Sequence, residues 1–326
     1  MRSAAARAGA NIALIKYWGK RDLALNLPAT GSLSITLSTF VTESSVTFDG
    51  ALRADDLVLD GRPASADARD RVARFLDRVR ARAGMCEFAH VESANNFPTA
   101  SGLASSASGF AALALAASRA AGLDVGLPEL ASLARLGSGS AARSLLGGFV
   151  ELPRGEAADG SDCVPRQVAP PEHWPVRLVV AVNGRCAKDV GSTAGMEMSR
   201  LTSPFFDAWV AANRRDLDAA RVAVAARDFT TLGRLTEASC FRMHAVALAC
   251  DPPLLYWNGT TVEAIRKVWR LREAGLQGYV TVDAGPHVKV LCLPHEADEI
   301  AAELAAVDGV ERCLVERPGP GAQVIP

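Results

Sequence analysis

Apolar and polar residues alternate along 33–48, "LSITLSTFVTESSVTF", with the period of two of a half-buried strand; the run reads as one long strand or two antiparallel ones. At 67–84, "DARDRVARFLDRVRARAG", the spacing becomes helical and ends on a glycine. "CEFAHVES", 86–93, returns to strand spacing, and helices are expected over about 103–120 and over 127–136. "GSGSAARSLLGG", 137–148, is Gly/Ser punctuation before a short strand, "FVELP". "VRLVVAV", 176–182, has a central-strand pattern. Helical spacing follows over 203–228, with a break expected near 213, then over 229–249 with one internal glycine, and over 260–275. "GYVTVDAG" and "HVKVLCL" predict strands around a Gly-Pro turn, and "EADEIAAELAAV" a late helix. Strands and helices mix without regular βα alternation, which predicts an α+β fold rather than a doubly wound sheet.

At 326 residues the chain suits two lobes. The polar stretch 154–173, with three prolines between 165 and 171, marks the expected boundary, giving lobes of 1–175 and 176–326. With 35 Lys+Arg against 36 Asp+Glu, the net charge of -1 offers no global attraction to nucleic acid or anionic lipid. No segment near residue 1 has signal-peptide character, and no apolar run is long enough to span a membrane. The seven cysteines are dispersed without a CxxC pair, and the five histidines lack zinc-site spacing. Reduced thiols and a cytoplasmic location are the expectation.

"NFPTASGLASSASG", 96–109, runs directly into the alanine-rich helix. Small residues before a helix N-terminus let backbone N–H groups approach an anion closely. Gly102 permits close approach, and Ser101, Ser105, Ser106 and Ser108 offer hydroxyls. The loop lacks the lysine of the Walker pattern. Taken alone, it is either a phosphate cradle or a tight turn with a serine cap.

Four other stretches carry candidate chemistry. In "NIALIKYWGKRD", Lys16, Tyr17 and Lys20 form either a basic pocket beside aromatics or an exposed charge run. In "GSGSAAR", Ser138, Ser140 and Arg143 either grip a planar anion or lead a loop into a helix. In "TVDAGPHVKV", Asp283 ends an apolar strand, where it either reaches a reacting hydroxyl or simply starts a turn. In "AKDVGSTAGM", Lys188 and Ser192 either add anion contacts or belong to a surface turn. Glu43, Trp209 and Met243 read as surface or core residues, and no cysteine has the setting of a nucleophile.

Together with "LNLPATGSLSITLS" and "MHAVALACDPPLLYW", these motifs resemble, in order and interval, the diphosphomevalonate decarboxylase family. That family belongs to the superfamily of galactokinase, homoserine kinase, mevalonate kinase and phosphomevalonate kinase. The resemblance covers nearly the whole chain. It implies a two-lobed small-molecule kinase fold with mixed or antiparallel sheets, packed helices and an active site in the cleft between lobes. It implies conversion of (R)-5-diphosphomevalonate and ATP to isopentenyl diphosphate, ADP, phosphate and CO2, with Mg2+, in a homodimer. The 3-hydroxyl is phosphorylated first, and phosphate then leaves as the carboxylate is lost. No thiamine or pyridoxal electron sink is needed.

By the same resemblance, Asp283 faces the 3-hydroxyl, where it either accepts the proton or orients the oxygen and stabilises positive charge. Lys16 lies beside Asp283, and Arg143 holds the substrate carboxylate. Ser138 and Ser140 sit near substrate and phosphate groups. Tyr17, Lys20, Lys188 and Ser192 hold the diphosphate. The serine loop, with Ser101, Gly102, Ser105, Ser106 and Ser108, takes the ATP phosphates, and Ser105 or Ser106 lies near Mg2+. Two positions depart from the family pattern. Gly9 replaces a proline, with little chemical consequence expected. His287 replaces an asparagine and, close to substrate phosphates, is expected to be favoured as a cation. The rival activities are phosphorylation of the 3-hydroxyl without decarboxylation, and decarboxylation of the monophosphate. A non-catalytic nucleotide-binding protein is the rival from another class.

Overall fold

The computed structural model describes residues 2–97, 105–184 and 190–326. Two sheets organise the chain. The larger is eight-stranded and mixed, built on the long antiparallel pair Arg2–Ile15 and Ser32–Asp49. The segment 33–48 is thus one strand, and it also pairs Phe88–Asn95 and Phe149–Leu152. Asp56–Leu59 joins Phe88–Asn95 in parallel, which makes the sheet mixed. Gly9 sits at an irregularity in the central pair, where a Cβ would run into the backbone oxygen of Leu37. Glycine there permits a close backbone approach.

One face of this sheet is covered by the helices Ala66–Ala83, Ser105–Ala120 and Leu127–Gly137. In Ser105–Ala120, seven alanines (107, 111, 112, 114, 116, 117 and 120) are buried. Their small side chains let the helix lie close to the sheet. Ser65 caps the first helix by accepting the Ala68 N–H, and Gly84 ends it in the left-handed conformation that glycine adopts without strain.

The smaller sheet is antiparallel and four-stranded: Tyr279–Val282, Val288–Cys292, Arg177–Asn183 and Val310–Glu316. Gly259–Glu273 and Ala297–Ala305 pack on it around an aliphatic core. Phe229–Leu248 crosses between the two sheets, contacting both Arg2–Ile15 and Tyr279–Val282. Its internal glycine, Gly233, leaves room for the Tyr279 ring, which a Cβ would strike. Phe206–Ala226 is continuous, so the break expected near 213 does not occur. Ser192–Thr202 is a helix where the sequence allowed a surface turn. The strand Gln323–Ile325 returns to pair with Arg2–Ile15, tying the end of the chain to the larger sheet.

Candidate active site

The strand Arg2–Ile15 ends where the chain turns through Lys16, Tyr17 and Trp18. This turn is anchored on several sides. The Trp18 indole N–H donates to Ser199 Oγ at 2.9 Å, and the Trp209 indole N–H donates to the Trp18 carbonyl at 3.0 Å. The Lys16 N–H donates to Ser239 Oγ at 3.0 Å. Lys16 is therefore held with its side chain 1% exposed and its Nζ 2.6 Å from Asp283 Oδ1.

Asp283 follows the buried strand Tyr279–Val282. Helix Phe229–Leu248 braces that strand end: Cys240 Sγ accepts the Val282 N–H, and His244 Nε2 donates to the Val282 carbonyl. The other Asp283 oxygen, Oδ2, lies 3.1 Å from Lys289 Nζ, whose side chain is also 1% exposed. Burial opposes ionisation of Asp283, but Lys16 and Lys289 outweigh it and hold the carboxyl well below the usual carboxylate range. The Asp283 side chain remains 26% exposed, and it lines a cavity of about 730 Å³.

Arg143 forms another wall of that cavity from the short 3-10 turn Ala141–Leu145. It is 2% exposed, and its guanidinium meets neutral acceptors: Asn11 Oδ1 at 2.9 Å, Ser32 Oγ at 2.7 Å and Ser34 Oγ at 3.0 Å. Burial lowers its pKa to about 10, against the pull of Tyr17 and Asp283, so it stays cationic at neutral pH. Burial likewise pushes the Tyr17 phenol far above its usual value, so it remains a hydroxyl. Gly139 makes space for it, since a Cβ there would run into the Tyr17 hydroxyl.

Hydroxyls join the remaining walls. Ser106 Oγ lies 3.3 Å from Ser138 Oγ, which lies 3.4 Å from Ser140 Oγ. Lys20 Nζ donates to Thr193 Oγ1 at 3.2 Å, and Gly191, Ser192, Thr193 and Ala194 bring the start of helix Ser192–Thr202 to the cavity. A smaller cavity of about 180 Å³ shares Arg71 and Ser106 with the first and is lined by Leu57, Val72, Val91, Phe110 and Leu113. A basic trough of about 350 Å³ continues from Lys20 and Arg71 to Arg74 and Arg78.

The chain and its fold have known counterparts. Residues 8–165 match the diphosphomevalonate decarboxylase-like N-terminal domain, and residues 178–314 match the mevalonate 5-diphosphate decarboxylase C-terminal domain. Diphosphomevalonate decarboxylase of Candida albicans is 36% identical over 99% of this chain and 98% of its own length. The chain belongs to the diphosphomevalonate decarboxylase family. Among solved structures, mevalonate diphosphate decarboxylase from Staphylococcus aureus superposes with a TM-score of 0.94 at 37% identity, covering 100% of this chain and 98% of that one. The complex of MDDEF with MVAPP, AMPPCP and magnesium also reaches 0.94, at 38% identity and 99% of both chains. The two-lobed α+β architecture of this decarboxylase is that of the family.

The decarboxylase cavity brings together Lys16, Tyr17, Lys20, Ser106, Ser138, Ser140, Arg143, Ser192 and Asp283. Ser105 lines the smaller cavity. Ser101, Gly102 and Lys188 lie outside the described residues. Two of the expected residues lie off these cavities. Ser108 is buried under the helix, sharing a 2.6 Å hydrogen bond with Thr42 Oγ1, and it lines neither cavity. Its hydroxyl is turned toward the strand that carries Thr42. His287 is 0% exposed and does not line the main cavity; its Nδ1 accepts the Asn183 N–H at 3.0 Å. In that contact Nδ1 is an acceptor, which leaves Nε2 as the ring's N–H.

Four further residues stand at or beside the cavity without a signal in the sequence. Lys289 lies in an apolar strand and pairs with Asp283, Asn11 accepts from Arg143, Arg71 belongs to a charge-rich helix, and Met243 is buried yet reaches the cavity wall. Among the described residues, no cluster of His, Cys, Asp and Glu could hold a metal, and no helix is long and apolar enough to cross a membrane.

Proposed function

We infer that this cavity carries out ATP-dependent decarboxylation of (R)-5-diphosphomevalonate to isopentenyl diphosphate, with release of ADP, phosphate and CO2. The observation that carries the reading is the convergence on one cavity of a doubly paired Asp283 and a buried Arg143 surrounded by neutral acceptors. A buried cation of that kind favours an anionic partner, and the substrate carboxylate supplies one.

Asp283 faces the 3-hydroxyl. Each of its oxygens already meets an ammonium group, and protonation would break those pairs. It therefore acts as a fixed anion that accepts the hydroxyl hydrogen bond and stabilises positive charge developing at C3. Phosphoryl transfer is then largely a matter of alignment, the hydroxyl proton passing to a phosphoryl oxygen as the new P–O bond forms. In the second stage the C3–O bond breaks with its electrons leaving on phosphate. The C–C bond to the carboxylate supplies the electron pair of the alkene, and CO2 departs.

Tyr17, Lys20 and the N-terminus of Ser192–Thr202 take the diphosphate, and the start of Ser105–Ala120 takes the ATP phosphates. The smaller apolar cavity takes the nucleobase. The enzyme uses Mg2+ with ATP. The hydroxyls of Ser106, Ser138 and Ser140 fit an ion held mainly by nucleotide phosphates and water, with Ser105 or Ser106 nearest it. When bound, Mg2+ neutralises phosphate charge. A cytoplasmic homodimer completes the proposal. Its support is the resemblance to the family and the six unpaired cysteines among the described residues.

The test is product analysis with mevalonate monophosphate and diphosphate as alternative substrates. The expected result is isopentenyl diphosphate and CO2 from the diphosphate. Preferential turnover of the monophosphate, or a phosphorylated product without CO2, would overturn the assignment. Light scattering of the purified protein tests the homodimer, and a monomer mass would reject it.

A further inference from the structure

Lys289 presents a physical problem. It lies in the strand Val288–Cys292, every residue of which is buried, opposite Thr281 in the neighbouring strand. A lysine there carries a substantial desolvation cost, and an apolar side chain would suit the surroundings better. Burial and the nearby Lys16 charge both push its ammonium pKa down, and Asp283 pulls the other way. Asp283 does not depend on it for a counter-ion, because Lys16 already supplies one at 2.6 Å. Lys289 does not line the substrate cavity. What it adds is a second hold, at 3.1 Å, on the oxygen that Lys16 leaves unpaired.

We propose that Lys289 is a positioning residue for the reaction: by gripping Asp283 Oδ2 from behind the cavity, it fixes the plane of the carboxylate that meets the substrate hydroxyl. The proposal rests on the reading of Asp283 given above. With Lys16 alone, the carboxylate is free to pivot about one oxygen. With an ammonium group beside each oxygen, that pivot is opposed by a second charge contact. A small misplacement of such a group lowers the rate without weakening substrate binding.

The experiment compares wild type with Lys289→Met and Lys289→Arg, measuring kcat, both KM values and Tm. Lys289→Met is expected to lose about tenfold or more in kcat while both KM values stay within about threefold. Its Tm should hold or rise, because a buried ion is exchanged for an apolar side chain. Lys289→Arg, which retains the charge, should recover part of kcat. A kcat for Lys289→Met within about twofold of wild type would overturn the proposal. So would a fall in Tm and kcat together with no recovery in Lys289→Arg, since that marks a purely structural role. If Lys289→Met does not fold, Lys289→Gln serves under the same criteria. Asp283→Asn is assayed in parallel. If it turns over at the wild-type rate, the reading of Asp283 falls and the proposal with it; if it is inactive while Lys289→Met is unimpaired, the proposal alone fails.

Discussion

Lys16 Nζ and Asp283 Oδ1 lie 2.6 Å apart although 267 positions separate them in sequence. The contact joins the end of the larger sheet to the end of the smaller one, and helix Phe229–Leu248 braces both. This ion pair is thus a product of how the two sheets meet. Its geometry depends on Ser239, Cys240 and His244 of that helix.

Arg143 is expected to resist conservative replacement. Lysine cannot reproduce a guanidinium bound at once to Asn11, Ser32 and Ser34. Arg143→Lys should lose on the order of 2 kcal/mol of transition-state binding, or about 30-fold in kcat/KM for the mevalonate substrate. Steady-state kinetics with each substrate varied checks this. The KM for ATP should change little.

Gly139→Ala should disturb substrate binding through Tyr17. The added methyl runs into the phenol, and overpacking of this kind costs about 1–3 kcal/mol. Both a lower Tm and a higher KM for diphosphomevalonate are expected. Combining it with Tyr17→Phe removes the nearest clashing atom, so thermal melts should show part of the stability restored.

His287 supports the fold behind Asp283, so its replacement should act on stability. His287→Asn is expected to lower Tm through loss of the bond to the Asn183 N–H. Substrate KM values should remain within about twofold. A large KM change in the purified, folded variant would restore His287 to the substrate site.

Acid sensitivity should trace in part to His244. Burial lowers its pKa to about 3, against the pull of its hydrogen bond to the Val282 carbonyl. Between about 6.5 and 3 the unfolded chain binds a proton at this ring that the folded chain refuses. Stability from this group is therefore full above about pH 6.5 and falls as pH drops, by about 1.4 kcal/mol per unit. Denaturant melts across that range should show a shallower pH slope in His244→Phe than in wild type.

Much of the fold is readable from side-chain periodicity. Residues 40–48 alternate because Val46 and Phe48 turn to the helices, whereas 32–37 is buried on both faces; Ser65 and Gly84 cap and stop the helix Ala66–Ala83. Arg2–Ile15 gives no such signal. Its alanines are poor strand formers, and the segment is a strand because it pairs on both sides within the sheet. Ser192–Thr202 is similarly obscured by a start rich in glycine, serine and threonine. The motifs reveal Lys16, Arg143 and Asp283, since each stands beside turn chemistry. Lys289 is different. A lone lysine among valines looks like the solvent side of a strand, and only the register Thr281↔Lys289 places it beside Asp283. His287 stands where the family has an asparagine, and that substitution does not specify which way the ring turns; Nδ1 accepts the Asn183 N–H.

The most direct test counts ADP and CO2 released per isopentenyl diphosphate, using diphosphomevalonate labelled at the carboxyl carbon, in wild type and Asp283→Asn. Wild type should give the three products one to one to one. Asp283→Asn should lose at least about 100-fold in rate while binding ATP and substrate nearly as before. ADP formation without labelled CO2 in wild type, or unchanged turnover in Asp283→Asn, would contradict the account.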